Sequence, residues 1–447
     1  MTTSVDVSSG PVTTAPAVRH AWWRSRLEGA TTPARLRLLL ALLILLSLAW
    51  GVLAALTADQ HASAAADVVA VSEPLSLDAE QIYTSLSDAD ATAASAFLAG
   101  GLEPQAVRRR YLADLAEAAT SLEAATTTAG HSADQHDLAT LSASLPVYAG
   151  EVETARADNR LGLPLGAAYL REASGLMRGT LLPAARGLYQ RANVELAAQS
   201  SQATGLPFAL IALVVAIAVG LVLFRSQRWL ARRTHRVANA GLLLASVAGV
   251  VSVLWLVVAL TVARVELVSA RAHGSAPVEA LAQADIAALQ AHADESLTLI
   301  DNSGDDSFQA DFATVTKRLG PGPGTLLAAA AAAAGGSPGS AAATAAQSDA
   351  TAWYAAHRRL RSLDDGGAHA QAVASATGSG PQDSGTRFRQ LDSALDRSIN
   401  ADQAVFQSHA VSGRDATAGL EAGMIVLALI MAAGCVLGLR QRLAEYQ

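Results

Sequence analysis

The stretch that decides the fold is Leu38-Leu-Leu-Ala-Leu-Leu-Ile-Leu-Leu-Ser-Leu-Ala-Trp-Gly-Val-Leu-Ala-Ala-Leu-Thr-Ala58. It carries no charge and reaches the roughly 20 residues that a helix needs to cross a bilayer. In hydrocarbon a single segment satisfies its own backbone only as a helix. Three further stretches share this character: Leu206 to Phe224, Ala240 to Ala263 and Ala422 to Leu439. The first has small residues around Ala58, as a cleavable secretory signal would. Its apolar run is longer than a signal core of roughly 7 to 15 residues and a long tail precedes it, so a retained signal anchor is expected.

The whole composition agrees with a membrane protein. Of the 447 residues 51% are hydrophobic and only 16% charged, and the mean hydropathy is +0.29. Aromatic residues make up 4%, and alanine and leucine supply most of the apolar count. That is poor material for large sheets, so an all-α protein with four transmembrane helices is expected. Cys435 is the single cysteine, which excludes an intramolecular disulfide and any multi-cysteine metal site. Lys317 is the one lysine, a coding bias rather than chemistry.

Charge sets the orientation. Arg19, Arg24, Arg26, Arg35 and Arg37 precede the first span, Arg225, Arg228, Arg232, Arg233 and Arg236 lie between spans two and three, and Arg440 and Arg442 follow the fourth. Only Asp6, Glu28 and Glu445 oppose them, so these pieces and both termini are expected in the cytoplasm. The two long loops are acidic and belong outside. The expected plan is a disordered cytoplasmic head (1–37), span one (38–58), an extracytoplasmic helical bundle (59–205), span two (206–224) and a basic cytoplasmic turn (225–239). Span three (240–263), a second extracytoplasmic bundle (264–421), span four (422–439) and a cytoplasmic tail (440–447) follow. One span-bundle-span module is thus written twice in the same order. A weak echo supports duplication: Leu145-Pro-Val-Tyr-Ala-Gly-Glu and Thr351-Ala-Trp-Tyr-Ala-Ala-His occupy corresponding places.

Within the first bundle, Glu73-Pro74, Gly100-Gly101, Gly130 and Gly162 to Pro164 punctuate runs of helical length. Tyr111, Leu115, Ala118 and Leu122 form an amphipathic stripe suited to bundle packing. The second bundle repeats the plan with helices expected over Val278 to Ser303, Ser307 to Leu319, Ala341 to Leu363 and Thr386 to Ser412. The Gly/Ala-rich stretch 320–340 reads as a flexible insertion.

Motifs for chemistry are scarce. There is no phosphate loop, nucleophile elbow, HExxH helix or paired CxxC, so no catalytic residue, metal site or cofactor is expected, and no nucleic-acid partner. His131-Ser-Ala-Asp134-Gln-His136-Asp137 reads as a capped helix start rather than a metal site. Arg108-Arg109-Arg110 is either a solvated face or a site for an acidic ligand or partner, since guanidinium groups bind carboxylates bidentately, and Arg358, Arg359 and Arg361 invite the same alternatives. Asp364-Asp365-Gly366-Gly367 reads as a helix stop. Glu421 sits at the outer edge of span four, where a carboxylate reaches water. Gly434 and Gly438 form a GxxxG pair that permits close helix approach, including that of a second copy in a homodimer. No span has the paired charges or broken helices of a transporter. Arg225, Arg228, Trp229, Arg232, Arg233 and Arg236 suit either anionic lipid or an acidic cytoplasmic partner. The cytoplasmic pieces are too small to house an enzymatic output, so a sensed signal must pass to another protein.

The stretch Glu73-Pro-Leu-Ser-Leu-Asp-Ala-Glu-Gln-Ile-Tyr-Thr-Ser-Leu-Ser-Asp-Ala-Asp-Ala-Thr-Ala, followed by Phe97-Leu-Ala-Gly-Gly-Leu-Glu-Pro and Arg110-Tyr-Leu, resembles actinobacterial four-span membrane proteins of the GlnX type. Gly166-Ala-Ala-Tyr-Leu-Arg-Glu-Ala-Ser, Leu182-Pro-Ala-Ala-Arg and Trp353 through Asp365 add to the likeness. The resemblance implies a non-enzymatic relay between an extracytoplasmic amino-acid-binding lipoprotein and a cytoplasmic serine/threonine protein kinase. It implies no particular contact residues. The reading from another class is a structural or cell-envelope assembly scaffold.

Overall fold

The computed structural model describes residues 32–100, 103–129, 135–204, 207–234, 239–301 and 306–444. All of its regular structure is helical, with no strand among the described residues. Four helical stretches are long and apolar enough to cross a membrane, lying within Arg37–Leu98, Ile211–Arg228, Ala240–Ile300 and Ser384–Arg440. The chain is therefore a multi-pass membrane protein. It divides into two compact units, one holding the apolar spans and one built from Thr57–Pro207 and Leu256–Leu420.

The span unit is drawn from α1 (Thr32–Asp67), α7 (Pro207–Thr234), α8 (Ala240–Ala270) and α15 (Leu420–Ala444). Leu45, Val52, Val214, Val250 and Leu429 face outward, as lipid-facing residues do. Small residues bring the backbones together. A Cβ on Gly241 of α8 would lie 2.4 Å from the Gly438 nitrogen and 2.6 Å from the Gly434 oxygen of α15. The GxxxG pair is thus used within the chain, where only glycine permits so close an approach. Asn239 locks the contact by donating to the Gly438 carbonyl at 2.7 Å. Trp50 Nε1 donates to Ser252 Oγ at 2.9 Å, so the polar groups of α1 and α8 satisfy each other.

The second unit holds both bundles. The first comprises α2 (Glu73–Leu98), α3 (Gln105–Ala129), α4 (Gln135–Arg160), α5 (Leu165–Leu176) and α6 (Leu182–Thr204). The second comprises α9 (Ala276–Ile300), α10 (Ser307–Leu319), α11 (Leu326–Ala333), α12 (Ser340–Asp365), α13 (His369–Thr377) and α14 (Ser384–Thr417). Helices α2 and α9, the first of each bundle, pack against one another. Their cores interpenetrate: Ile286 and Leu297 of α9 belong to the first core, and Ala91 of α2 to the second. The two bundles are packed together within one compact unit.

The expected break at Glu73-Pro74 is absent. A π-helical turn, Val68–Ser72, carries the chain into α2, and a matching one, Arg271–Ser275, carries it into α9. A third, Met177–Leu181, joins α5 to α6. Each is followed by one residue and then proline: Pro74, Pro277 and Pro183. Proline lacks the N–H and crowds the preceding turn. Widening that turn relieves the crowding, and the amides of Glu73, Leu182 and Ala276 reach back five residues to the carbonyls of Val68, Met177 and Arg271. Pro74 and Pro277 thus stand at corresponding places, each just after the π-helical turn that leads into the first helix of its bundle.

The stretch 320–340 also differs from expectation. Instead of a flexible insertion it is built into the second bundle, with Leu327, Ala330 and Ala334 in the core. An alanine run is the strongest of helix formers, and its small side chains allow tight packing. Gly339 ties the segment to α14. Its amide donates to Asp402 Oδ1 at 3.0 Å, its carbonyl accepts from Ser398 at 3.0 Å, and a Cβ there would lie 2.7 Å from the Ser398 hydroxyl.

Candidate ligand cleft between the bundles

Helix α6 repeats polar side chains at turn spacing: Arg186, Gln190 and Asn193, with Val194 and Ala197 beside them. Helix α9 does the same with Glu279, Gln283, Gln290 and Asp294. Where these faces meet α10 and α11 they leave a cleft of about 660 Å³, and Tyr83, Arg186 and Gln190 also line a neighbouring space of about 430 Å³. That size lies in the range of small-molecule sites.

The cleft is electrically graded. At one end Arg178 is hydrogen-bonded and ion-paired to Asp294. In the middle Arg186 Nε donates to Tyr83 Oη at 3.0 Å, with its guanidinium 5.8 Å from the tyrosine ring centroid. Arg318, in the last turn of α10, lines the same wall. At the other end stands Glu279, shared with a small hollow that Glu73 and Glu80 also line. Burial pushes the Glu73 carboxyl up to about 7 and that of Glu80 up to about 8.

Elsewhere between the bundles lies a closed seam. Arg110 of α3 bonds Asp88 of α2 at 2.9 Å and Asp392 of α14 at 3.1 Å. Asp114, Asp285 and Asp396 surround them. Burial first, then the neighbouring carboxylates Asp88 and Asp392, raises Asp114 to about 8, while Asp285 is held well above the usual range by burial and by Asp392, Asp396, Asp88 and Glu80. Asp114 Oδ2 and Asp285 Oδ1 are buried without a hydrogen-bond partner. A neutral, protonated carboxyl is the form that such a place tolerates.

Inside the second bundle, Glu295 accepts from Ser384 Oγ at 2.7 Å and lies 2.7 Å from His357 Nδ1, and Trp353 Nε1 donates to Ser384 at 3.1 Å. Burial pushes Glu295 up, but the His357 bond and charge, with His292 and Ser384, carry it below the usual carboxyl range. These are the residue types of acyl-transfer catalysis in a different arrangement. The serine faces the carboxylate instead of the imidazole, and all three side chains are buried, so the set pins the core and does not prime a nucleophile.

Among the residues singled out from sequence, Arg108 pairs with Glu153 at 2.8 Å, Arg110 holds the seam and Arg109 is exposed. Arg361 bonds Asp364 and Asp365, Arg359 bonds Gln382, and Arg358 is exposed. Arg225, Arg228 and Arg232 are exposed on α7, which continues to Thr234 where a short turn was expected. Trp229 and Arg233 lie on the same helix, and Arg236 is outside the described residues, as are His131 and Asp134. Asp137 pairs with Arg191, and no group among the described residues could hold a metal ion. Sequence reading missed Tyr83, Arg186, Glu279 and Arg318. The available signal was polar side chains at turn spacing on otherwise Ala/Leu-rich helices.

Residues 64–201, the first bundle with the turn of helix before it, match the family model described as an actinobacterial sensor domain. The match covers less than a third of the chain and supports a sensor protein of actinobacterial type, with a sensing or signalling role. No curated protein and no solved structure matches the chain.

Proposed function

We propose that the chain is a non-enzymatic transmembrane relay. Its bundles lie outside the cell and receive the state of an amino-acid-binding lipoprotein or of a ligand, and its inner surface passes that state to a serine/threonine protein kinase. The observation that carries the reading is the joint between bundles: the matched sensor region shares its core with a second bundle, and a graded cleft and a charged seam lie between them. A relay requires an element with two arrangements, and the polar interface between the bundles is the place in this unit where such a change would be felt. The arginine distribution supports both termini inside. Amino-acid sensing and the two partners rest on the resemblance to GlnX-type proteins.

The test is affinity purification of the tagged chain from native membranes after mild crosslinking, read by mass spectrometry. A solute-binding lipoprotein and a serine/threonine kinase recovered together are expected. Cell-wall or division proteins in their place would replace the relay with an assembly scaffold. Neutralising Arg228 and Arg232 together should then abolish kinase-dependent phosphorylation in the cell at unchanged abundance.

A further inference from the structure

We propose that the cleft between α6 and α9 directly binds a small dipolar molecule, one with a carboxylate at one end and an amine cation at the other. Arg186 and Arg318 take the carboxylate and Glu279 the cation. The proposal deepens the sensor reading and rests on it only for its consequence, the signal.

The cleft holds charges that the chain leaves unused. Arg110, Arg156, Arg171, Arg178 and Arg361 of this unit have carboxylate partners within the chain. Arg186, Arg318 and Glu279 line one cavity, all three are exposed in it, and among the described residues none has a partner of opposite charge. Opposite charges that share a wall and do not meet leave a gap that a bridging ligand closes. Arg186 is also oriented, since Tyr83 accepts its Nε–H and leaves its two terminal nitrogens directed elsewhere. A planar pair of N–H groups held in place is the geometry that takes a carboxylate bidentately.

The acidic end narrows the class. Glu279, exposed at that end, would repel a dianion such as a phosphate monoester. Two guanidinium groups would equally repel a simple cation. A molecule with both charges matches the gradient, and Gln190, Asn193 and Gln283 offer uncharged donors and acceptors between its ends. Because Arg186 belongs to the first bundle and Glu279 and Arg318 to the second, the ligand would contact both bundles at once and favour whichever arrangement of the three side chains brings them closest.

The full chain in lipid nanodiscs is titrated calorimetrically and by thermal unfolding with glycine, β-alanine and γ-aminobutyrate, which separate the two charges progressively, and with L-leucine and L-glutamine as bulkier dipoles. Acetate and ethylamine supply each charge alone. At least one dipolar probe should bind and raise Tm, and neither single-charge probe should match it. Arg186→Gln and Glu279→Gln should each weaken that binding about tenfold or more, with unliganded Tm unchanged, while Arg109→Gln leaves it intact. Silence with every dipolar probe, equal binding of acetate, or affinity that survives both substitutions overturns the proposal. These outcomes are separable from the relay reading. A chain that recovers its partners but binds no probe loses only the cleft ligand, and one that binds a probe without recovering partners retains it.

Discussion

Arg110 and Arg186 both stand where the two bundles meet, and they differ in what faces them. Arg110 is met by Asp88 and Asp392, with Asp114, Asp285 and Asp396 close behind, so that one cation answers five carboxyl groups. Arg186 is met by a tyrosine hydroxyl and open space. The seam has too much negative charge and holds it by burial and protonation. The cleft has charge of both signs and leaves it unsatisfied. A contact that completes itself fixes how two bodies pack, and one left incomplete invites a third.

The largest expected effect tests the protons in that description. Glu80 at about 8, Asp114 at about 8 and Asp285 well above the ordinary range all bind protons more tightly folded than unfolded. For a raised carboxyl, the stability contributed is complete below the unfolded value, near 4, and is lost as pH rises through the folded one. His292, lowered to about 4 by burial, acts the opposite way, but only below its ordinary value near 6.5. Between pH ~6.5 and ~8 the bundle unit should therefore lose on the order of a few kcal/mol. Thermal unfolding of the full chain in nanodiscs across that window should show Tm falling, and Glu80→Gln should flatten the slope. A Tm that rises with pH would mean that the seam carboxyls are ionised and paired.

Removing the two arginines sets seam against cleft directly. Arg110→Ala leaves buried carboxyl groups without their cation. The arginine side chain is 42% exposed, so the loss falls short of that for a fully buried pair and should come to about 2 kcal/mol. Arg186→Ala removes an exposed cation with no carboxylate partner and should stay within about 0.5 kcal/mol. Equal losses would dissolve the distinction between a closing contact and an open one.

Much of the fold was legible because its signals are local. Spans at Leu38 to Ala58 and Ala240 to Ala263 follow from uninterrupted apolar length, and the helix over Ser307–Leu319 has the bounds expected from its flanking breaks. The Asp364-Asp365-Gly366-Gly367 stop appears as expected, with Gly367 at φ +81°. Two local rules failed where tertiary packing overrode them. Proline at 74 reads as a break, yet a wider turn absorbs it, and glycine with alanine over 320–340 reads as a linker, yet Gly339 is fastened between Ser398 and Asp402. The seam and cleft were illegible for a different reason. Arg110 and Asp392 are 282 positions apart, and no pattern in either bundle shows which face meets the other. The triple arginine reads as one possible site, but its members have three fates: a surface pair, an exposed side chain and the seam.

The smallest expected effect sharpens the comparison most. Tyr83 is buried at 4% exposure, and its hydroxyl accepts from Arg186 Nε. Tyr83→Phe keeps the ring under the guanidinium and removes only the acceptor. Because Arg186 is exposed, water replaces the lost bond, and the unliganded protein should lose only about 0.5 kcal/mol. The guanidinium also loses the anchor that aims it, so a bound dipolar ligand must now bear the cost of orienting that side chain, about 0.5 to 1.5 kcal/mol, or a several-fold weaker affinity. The corresponding seam change, Asp88→Asn, removes a charge from a contact that is already complete, so it should lower Tm without touching ligand affinity. If Tyr83→Phe instead lowered Tm and left affinity alone, Arg186 would be a structural residue like Arg110, and the cleft would be a gap in packing.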